Sequence, residues 1–131
     1  MEFVNVFSAA VAAFAAGAVY YMVLSDRWLT ASGVPQGPDG KAANAADARP
    51  FVIGFLCILL VAGMMRHMFA ASDIVQPGAG LGTGAGIGAF LITPWIALNA
   101  VYAMKPAALV LIDGGYAILG CAIIGLVLTL F

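Results

Sequence analysis

The chain has 131 residues, of which 64% are apolar and 8% are charged. A soluble domain of this length cannot bury so much apolar surface, so the composition excludes an ordinary soluble enzyme, a disordered chain and a disulfide-stapled secreted module. Five basic and six acidic residues give a net charge of −1, which lacks the cationic excess that nucleic-acid binding requires. The sequence therefore predicts a small integral membrane protein embedded in the lipid bilayer, with no nucleic-acid partner.

Four apolar stretches are long enough to cross a membrane, which takes about 20 residues. They run over about 4–24, 50–71, 81–104 and 107–131, within a single transmembrane domain covering 1–131. A connection at 25–49, rich in proline, glycine and charge, separates the first two stretches and is predicted to be a loop. The last two are joined so closely that they must form a tight antiparallel hairpin. We therefore predict an all-α fold, a bundle of four transmembrane helices.

The first stretch could instead be a secretion signal, because the small residues at 15–18 resemble a cleavage site. It lacks a basic leading region and exceeds the usual length of a signal's apolar core, so we expect it to be retained as an anchor. Side chains near the predicted helix ends are expected to anchor the protein at the membrane–water interface. These are Tyr20, Tyr21, Trp28 and Arg66.

Basic residues are distributed unequally between the two sides of the membrane. Arg27, Lys41, Arg49 and Lys105 lie in the first and third connections, whereas Arg66 lies towards the opposite side. The positive-inside rule then predicts that the 25–49 connection and the hairpin are cytoplasmic and that both termini are outside.

Alternating glycines open the third stretch. Glycine-rich turns can approach phosphates, but no lysine–serine/threonine pair follows this run, so packing is the favoured interpretation. At helical spacing, glycines every fourth residue form a small-residue face that lets another helix approach closely, and the fourth stretch carries a similar stripe. The predicted helix-packing face consists of Gly80, Gly84, Gly88, Ala117, Cys121 and Gly125. Farther along the third stretch, Pro94 should free the carbonyl of Phe90 and bend the helix.

Asp113 is the one acid placed well inside a predicted span. Counted from the hairpin turn, Asn99 should reach a similar depth, with Tyr102 one turn nearer the surface. An acid in hydrocarbon needs a partner, so the sequence predicts an intramembrane polar cluster of Asn99, Tyr102 and Asp113. We favour a structural clamp that locks the hairpin, and the alternative is a site for proton or solute handling.

Residues for catalysis or metal binding are sparse. The single histidine, His67, has no acid or second histidine at metal-binding spacing, and Cys57 and Cys121 fall at different depths, which argues against a disulfide. No nucleophile–base pair can be assembled from these groups. The sequence therefore predicts no enzyme, no metal site and no cofactor.

Two sequence stretches resemble a family of small bacterial membrane proteins with four predicted spans, known only as a domain of unknown function. One is the glycine–aromatic pattern that ends in Tyr20 and Tyr21 and is followed by the tryptophan at position 28. The other contains Asn99, the Lys105-Pro106 turn and the Asp113–Tyr116 segment. The resemblance covers nearly the whole chain and implies a multi-pass protein of the inner, cytoplasmic membrane, with no assigned activity.

Two classes of function remain. In the first, the protein is a structural or accessory unit whose small-residue faces pack in a homo-oligomer or a larger membrane complex. In the second, it is a small-solute or proton transporter or channel that uses the polar site around Asp113. A proton route normally needs several titratable groups in series, and the single deep acid favours the accessory class.

Overall fold

The computed structural model describes residues 2–131. The chain forms helices α1 (Glu2–Val23), α2 (Ser25–Ser32), α3 (Arg49–Ala71), α4 (Pro77–Ile87), a π-helical turn (Gly88–Ile92), α5 (Thr93–Tyr102) and α6 (Ala107–Leu128). Within this described part there is no strand, only an isolated bridge between Gln36 and Ala42. The predicted all-α fold is confirmed.

Four helical stretches are long and apolar enough to cross a membrane: Glu2–Val23, Arg49–Ala71, Pro77–Tyr102 and Ala107–Leu128. The third consists of α4, the π-helical turn and α5 in succession. It begins four residues before the predicted start at 81, because Pro77 fits the first helical turn, where its missing N–H is not needed.

The predicted tight hairpin between α5 and α6 is present and needs only four connecting residues. Met104 takes a left-handed conformation with φ of 56°, and the Lys105 N–H donates to the Ala100 carbonyl at 2.8 Å. This bond closes the end of α5 and satisfies a carbonyl that the helix leaves free. A similar bond from the Ile74 N–H to the Phe69 carbonyl, at 2.9 Å, closes α3.

Helix α6 lies at the centre of the bundle and contacts every other helix. In lipid there is no hydrophobic driving force for helix association, so close packing must stabilise the bundle. Small side chains permit this packing because they let the helix backbones approach closely. The buried core joins three helices through Ala9, Ala10 and Ala13 of α1, Ala62, Met65 and Phe69 of α3, and Cys121, Ile124 and Leu128 of α6.

A widened π-helical turn lies directly before Pro94, where the sequence predicts a bend. The Thr93 backbone N–H reaches back five residues to the Gly88 carbonyl, and the Thr93 hydroxyl donates to the same oxygen at 2.7 Å. The π-helical turn is therefore held by a side chain as well as by the backbone. The sequence predicts that Pro94 bends this helix, but it does not predict the π-helical turn.

The prediction of a loop over 25–49 needs correction, because its first eight residues form α2. Leu29 and Ala31 are buried, and α2 contacts α1 and α6. At its C-terminus, Gly33 is left-handed with φ of 69°, and the Lys105 Nζ donates to the Ser32 carbonyl at 2.6 Å. A cation at a helix C-terminus is favourable, and this one ties the first connection to the hairpin.

Candidate functional site

Asp113 is partly buried on α6 and is bonded to the end of α1. The Tyr21 hydroxyl donates to Asp113 Oδ1 at 2.7 Å. Both residues lie within predicted membrane spans, so their bond satisfies two polar groups that lipid cannot solvate.

Two more tyrosine hydroxyls cross between the same helices. Tyr20 of α1 donates to the Ile112 carbonyl at 2.7 Å, and Tyr116 of α6 donates to the Ala13 carbonyl at 2.8 Å. The three tyrosine rings contact one another, with centroid separations between 5.3 and 5.8 Å. We call Tyr20, Tyr21, Tyr116 and Asp113 the tyrosine clamp, because every hydroxyl in it joins α1 to α6.

Glycines on the facing helices make room for these rings. A Cβ atom added at Gly17 would lie 2.6 Å from the Tyr116 ring, and one added at Gly115 would lie 2.5 Å from the Tyr20 hydroxyl. Real Cβ atoms do not approach other atoms so closely, so both positions need glycine for the rings to reach across.

The predicted cluster of Asn99, Tyr102 and Asp113 does not form. Asn99 is exposed, and Tyr102 is 83% exposed on the outer side of α5. Gly114 of α6 faces the third span, since its added Cβ would meet Thr93. Successive helical residues differ by about 100° in direction, so Asp113 points instead towards α1. Reasoning from depth alone placed the partner of Asp113 on the third span, whereas its partner in the structure is Tyr21 of α1.

The predicted interface anchors lie in three environments. Tyr20 and Tyr21 lie near the end of α1, turn their hydroxyls towards α6 and belong to the tyrosine clamp. Trp28 is partly buried and stands edge-on to Tyr21, with centroids 6.1 Å apart. Arg66 lies at the opposite end of the bundle, where its Nη2 is 3.7 Å from Glu2 Oε1.

The structure brings the six small residues of the predicted packing face together within one chain. A Cβ added at Gly84 would lie 2.8 Å from the Cys121 carbonyl carbon, and one added at Gly88 would lie 2.6 Å from the Ile118 Cα. Gly80 and Gly125 approach each other in the same way. The intervening Gly82 has no described atom within 4 Å of an added Cβ. Alternate glycines therefore have opposite environments, and α6 occupies the close-packed side.

Sequence reasoning missed Asn5, which is 4% exposed at the start of α1. Its side-chain amide donates to the Leu128 carbonyl at 3.2 Å and to the Phe131 carbonyl. Leu128 is the last residue of α6 and Phe131 follows it by three, so neither carbonyl has an intrahelical partner. A lone amide at the start of an apolar stretch was the available signal, because a buried amide needs a partner at its own depth.

Residues 2–131 contain no group of three or more His, Cys, Asp or Glu side chains that could hold a metal ion. Both cysteines are free, with Cys121 buried and Cys57 exposed on the outside of α3.

The apolar helices and internal polar bonds define a multi-pass helical membrane protein with four spans. The chain matches the family model described as a protein of unknown function (DUF1761) over residues 4–129, and it belongs to that family. This agrees with the resemblance drawn from the sequence. Comparisons with curated proteins and with solved structures find no match.

Proposed function

We propose that the protein is a non-catalytic structural or accessory unit, located in the bacterial inner membrane, that associates with copies of itself or with a larger membrane complex. The observation that carries this proposal is a polar side chain on the outer surface of a span. Asn99 is exposed on α5 and makes no side-chain hydrogen bond to any described residue. An amide in this position favours contact with a helix outside the chain, because lipid offers it no partner.

Two aromatic residues share the side of α5 that carries Asn99. Trp95 precedes it by four residues and Tyr102 follows it by three, which places all three on one helical face. Trp95 is 67% exposed. Tryptophan and tyrosine supply large contact areas and a hydrogen-bonding group, as interface residues often do. This face (Trp95, Asn99 and Tyr102) is the proposed association surface.

The small-residue faces do not serve this association, contrary to one part of the sequence-based hypothesis. Gly80, Gly84 and Gly88 are already in contact with α6, so a second chain cannot approach them without separating the two helices. The tyrosine clamp likewise uses its hydroxyls within the chain. What remains for a partner is the outer surface.

The proposal is tested by measuring the assembly mass after gentle extraction from native membranes. We expect the wild type to run as an oligomer or in a larger complex, and Asn99→Leu to shift it towards the monomer. Leu60→Ala is the matched control, because Leu60 is 75% exposed on α3, away from the proposed surface. A monomeric wild type, or an Asn99→Leu assembly of unchanged mass, would contradict the proposal.

Proton or solute transport is the second candidate, and Asp113 is the observation that favours it. This carboxyl lies in a span, accepts a hydroxyl hydrogen bond and forms no ion pair with the described residues. Transport predicts that proteoliposomes containing the wild type show pH-dependent flux and that Asp113→Asn abolishes it without loss of thermal stability. The accessory role predicts no such flux from the wild type.

We also propose that the end of the bundle carrying the hairpin faces the cytoplasm and that both termini are outside. The Lys105–Ser32 bond holds the hairpin beside the first connection. Four of the five basic residues therefore lie at one end of the bundle: Arg27, Lys41, Arg49 and Lys105. Arg66 lies at the other end, beside Glu2. In a Cys57→Ser background, Gly40→Cys should resist a membrane-impermeant maleimide in intact cells and react after lysis. Labelling in intact cells would reverse the orientation.

A further inference from the structure

A cleft between α1 and α3 opens at the end of the bundle opposite the tyrosine clamp. It has a volume of about 330 Å³, and its lining includes Glu2, Phe3, Val6, Gly63, Arg66 and His67. Gly63 leaves it open, since an added Cβ there would have no described atom within 4 Å. The cleft thus combines one acidic side chain, one arginine and one histidine with apolar residues.

Arg66 is held in this cleft with its hydrogen-bonding capacity unused. Its Nε is buried without a partner in the described part of the chain. Its Nη2 stands 3.7 Å from Glu2 Oε1, a distance beyond that of a hydrogen bond. The Arg66 side chain is 29% exposed, whereas that of Glu2 is 76% exposed. The exposed part of the guanidinium, which includes an Nη2 group without a hydrogen bond, favours binding of an anionic group.

The position of the cleft indicates which anions can reach it. Arg66 lies five residues before the end of α3 at Ala71, or about 8 Å along the helix axis. Glu2 is the first residue of α1. Both side chains are therefore near the boundary between hydrocarbon and headgroups, where phospholipid phosphates lie.

We propose that this cleft binds the headgroup of an aminophospholipid, with Arg66 binding the phosphodiester and Glu2 binding the ammonium group. A guanidinium presents paired donors that match phosphate oxygens, and its bond to phosphate is charge-assisted. The nearby carboxylate favours a zwitterionic headgroup such as phosphatidylethanolamine, because a purely anionic headgroup would meet the negative charge of Glu2. Phe3 and Val6 contact the adjoining acyl chains. This site is separate from the association surface on α5.

Native mass spectrometry of the protein reconstituted with equal amounts of phosphatidylethanolamine and phosphatidylglycerol tests the proposal. The wild type should retain phosphatidylethanolamine preferentially, and Arg66→Gln should lose most of the retained lipid. Arg27→Gln is the control, because Arg27 is an exposed arginine at the other end of the bundle. Glu2→Gln should keep lipid binding but shift the preference towards phosphatidylglycerol, and it alters only an exposed side chain.

Three outcomes would overturn the proposal. One is equal lipid retention by the wild type and Arg66→Gln when both melt at the same temperature. The second is an unchanged headgroup preference in Glu2→Gln. The third concerns a soluble anion as the ligand: if inorganic phosphate binds the detergent-solubilised protein through Arg66 and the phospholipids do not, the site serves a free phosphate and not a lipid.

Discussion

Replacing single glycines of α4 by alanine tests the close approach of α4 to α6. A Cβ added at Gly84 would lie 2.8 Å from the Cys121 carbonyl carbon and 3.1 Å from the Ala122 Cα. Both atoms belong to the backbone, so a side-chain rotation cannot relieve the overlap. Carbon atoms prefer separations of about 3.5–4.0 Å, so the helices must move apart by roughly 1 Å.

The size of the effect follows from two opposing contributions. Alanine is favoured over glycine inside a helix by about 0.5–1 kcal/mol, and this gain applies at any exposed helical position. Overpacking a close contact costs about 1–3 kcal/mol. Gly82 has no described atom within 4 Å of an added Cβ, so Gly82→Ala keeps the gain without the cost. Gly84→Ala should therefore be less stable than Gly82→Ala by about 1–3 kcal/mol.

Reversible unfolding of the two variants in the same detergent or bicelle measures this difference directly. Because both variants exchange glycine for alanine within α4, the helix-propensity contribution cancels and the difference reports the contact with α6. We expect Gly82→Ala to be as stable as the wild type or more stable, and Gly84→Ala to be less stable. Equal stability of the two variants would refute the close approach at Gly84.

Three further predictions concern polar contacts. Tyr21→Phe removes the hydroxyl that donates to Asp113 and should destabilise the protein by about 0.6–2 kcal/mol in reversible unfolding. Lys105→Gln should weaken the bond that ends α2 and speed amide hydrogen exchange in the first connection. Hydrogen bonds from the Arg49 side chain and backbone lower the pKa of Asp47 below its ordinary value. The bonded state is therefore stable at neutral pH and is lost as the pH falls through that lowered pKa, and NMR titration of Arg49→Gln should show the pKa raised.

Each of these predictions has a control at an exposed position. Tyr102→Phe should leave the stability of the isolated chain unchanged, because Tyr102 is 83% exposed there, and a loss equal to that of Tyr21→Phe would contradict the clamp. Lys41→Gln should not alter exchange in α2, since Lys41 is exposed and its side chain bonds to no described residue. If Asp47 titrates identically with and without the Arg49 side chain, the ion pair does not form in solution.

The sequence alone was sufficient for the number of spans and for the tight hairpin, but not for α2 or the π-helical turn. Apolar stretches of spanning length can be counted without knowledge of tertiary contacts, because hydrocarbon requires each span to satisfy its own backbone hydrogen bonds. The short link around Lys105 required a hairpin, because two consecutive spans joined by so few residues must lie side by side and run in opposite directions. Glycines at every fourth position, 80, 84 and 88, indicated which side of the helix can approach another closely, since that depends only on side-chain size and helical period.

Tertiary structure decided which polar residues meet. The depth of Asp113 follows from its position along the fourth span, and several polar residues lie at comparable depth. The helix that Asp113 faces, however, depends on the rotation of α6 about its axis. That rotation is set by the glycine contacts with α4 and by Gly114 against Thr93, which turn Asp113 towards Tyr21 and leave Asn99 outside. Depth is a property of one helix, whereas a contact depends on the rotation and neighbours of two.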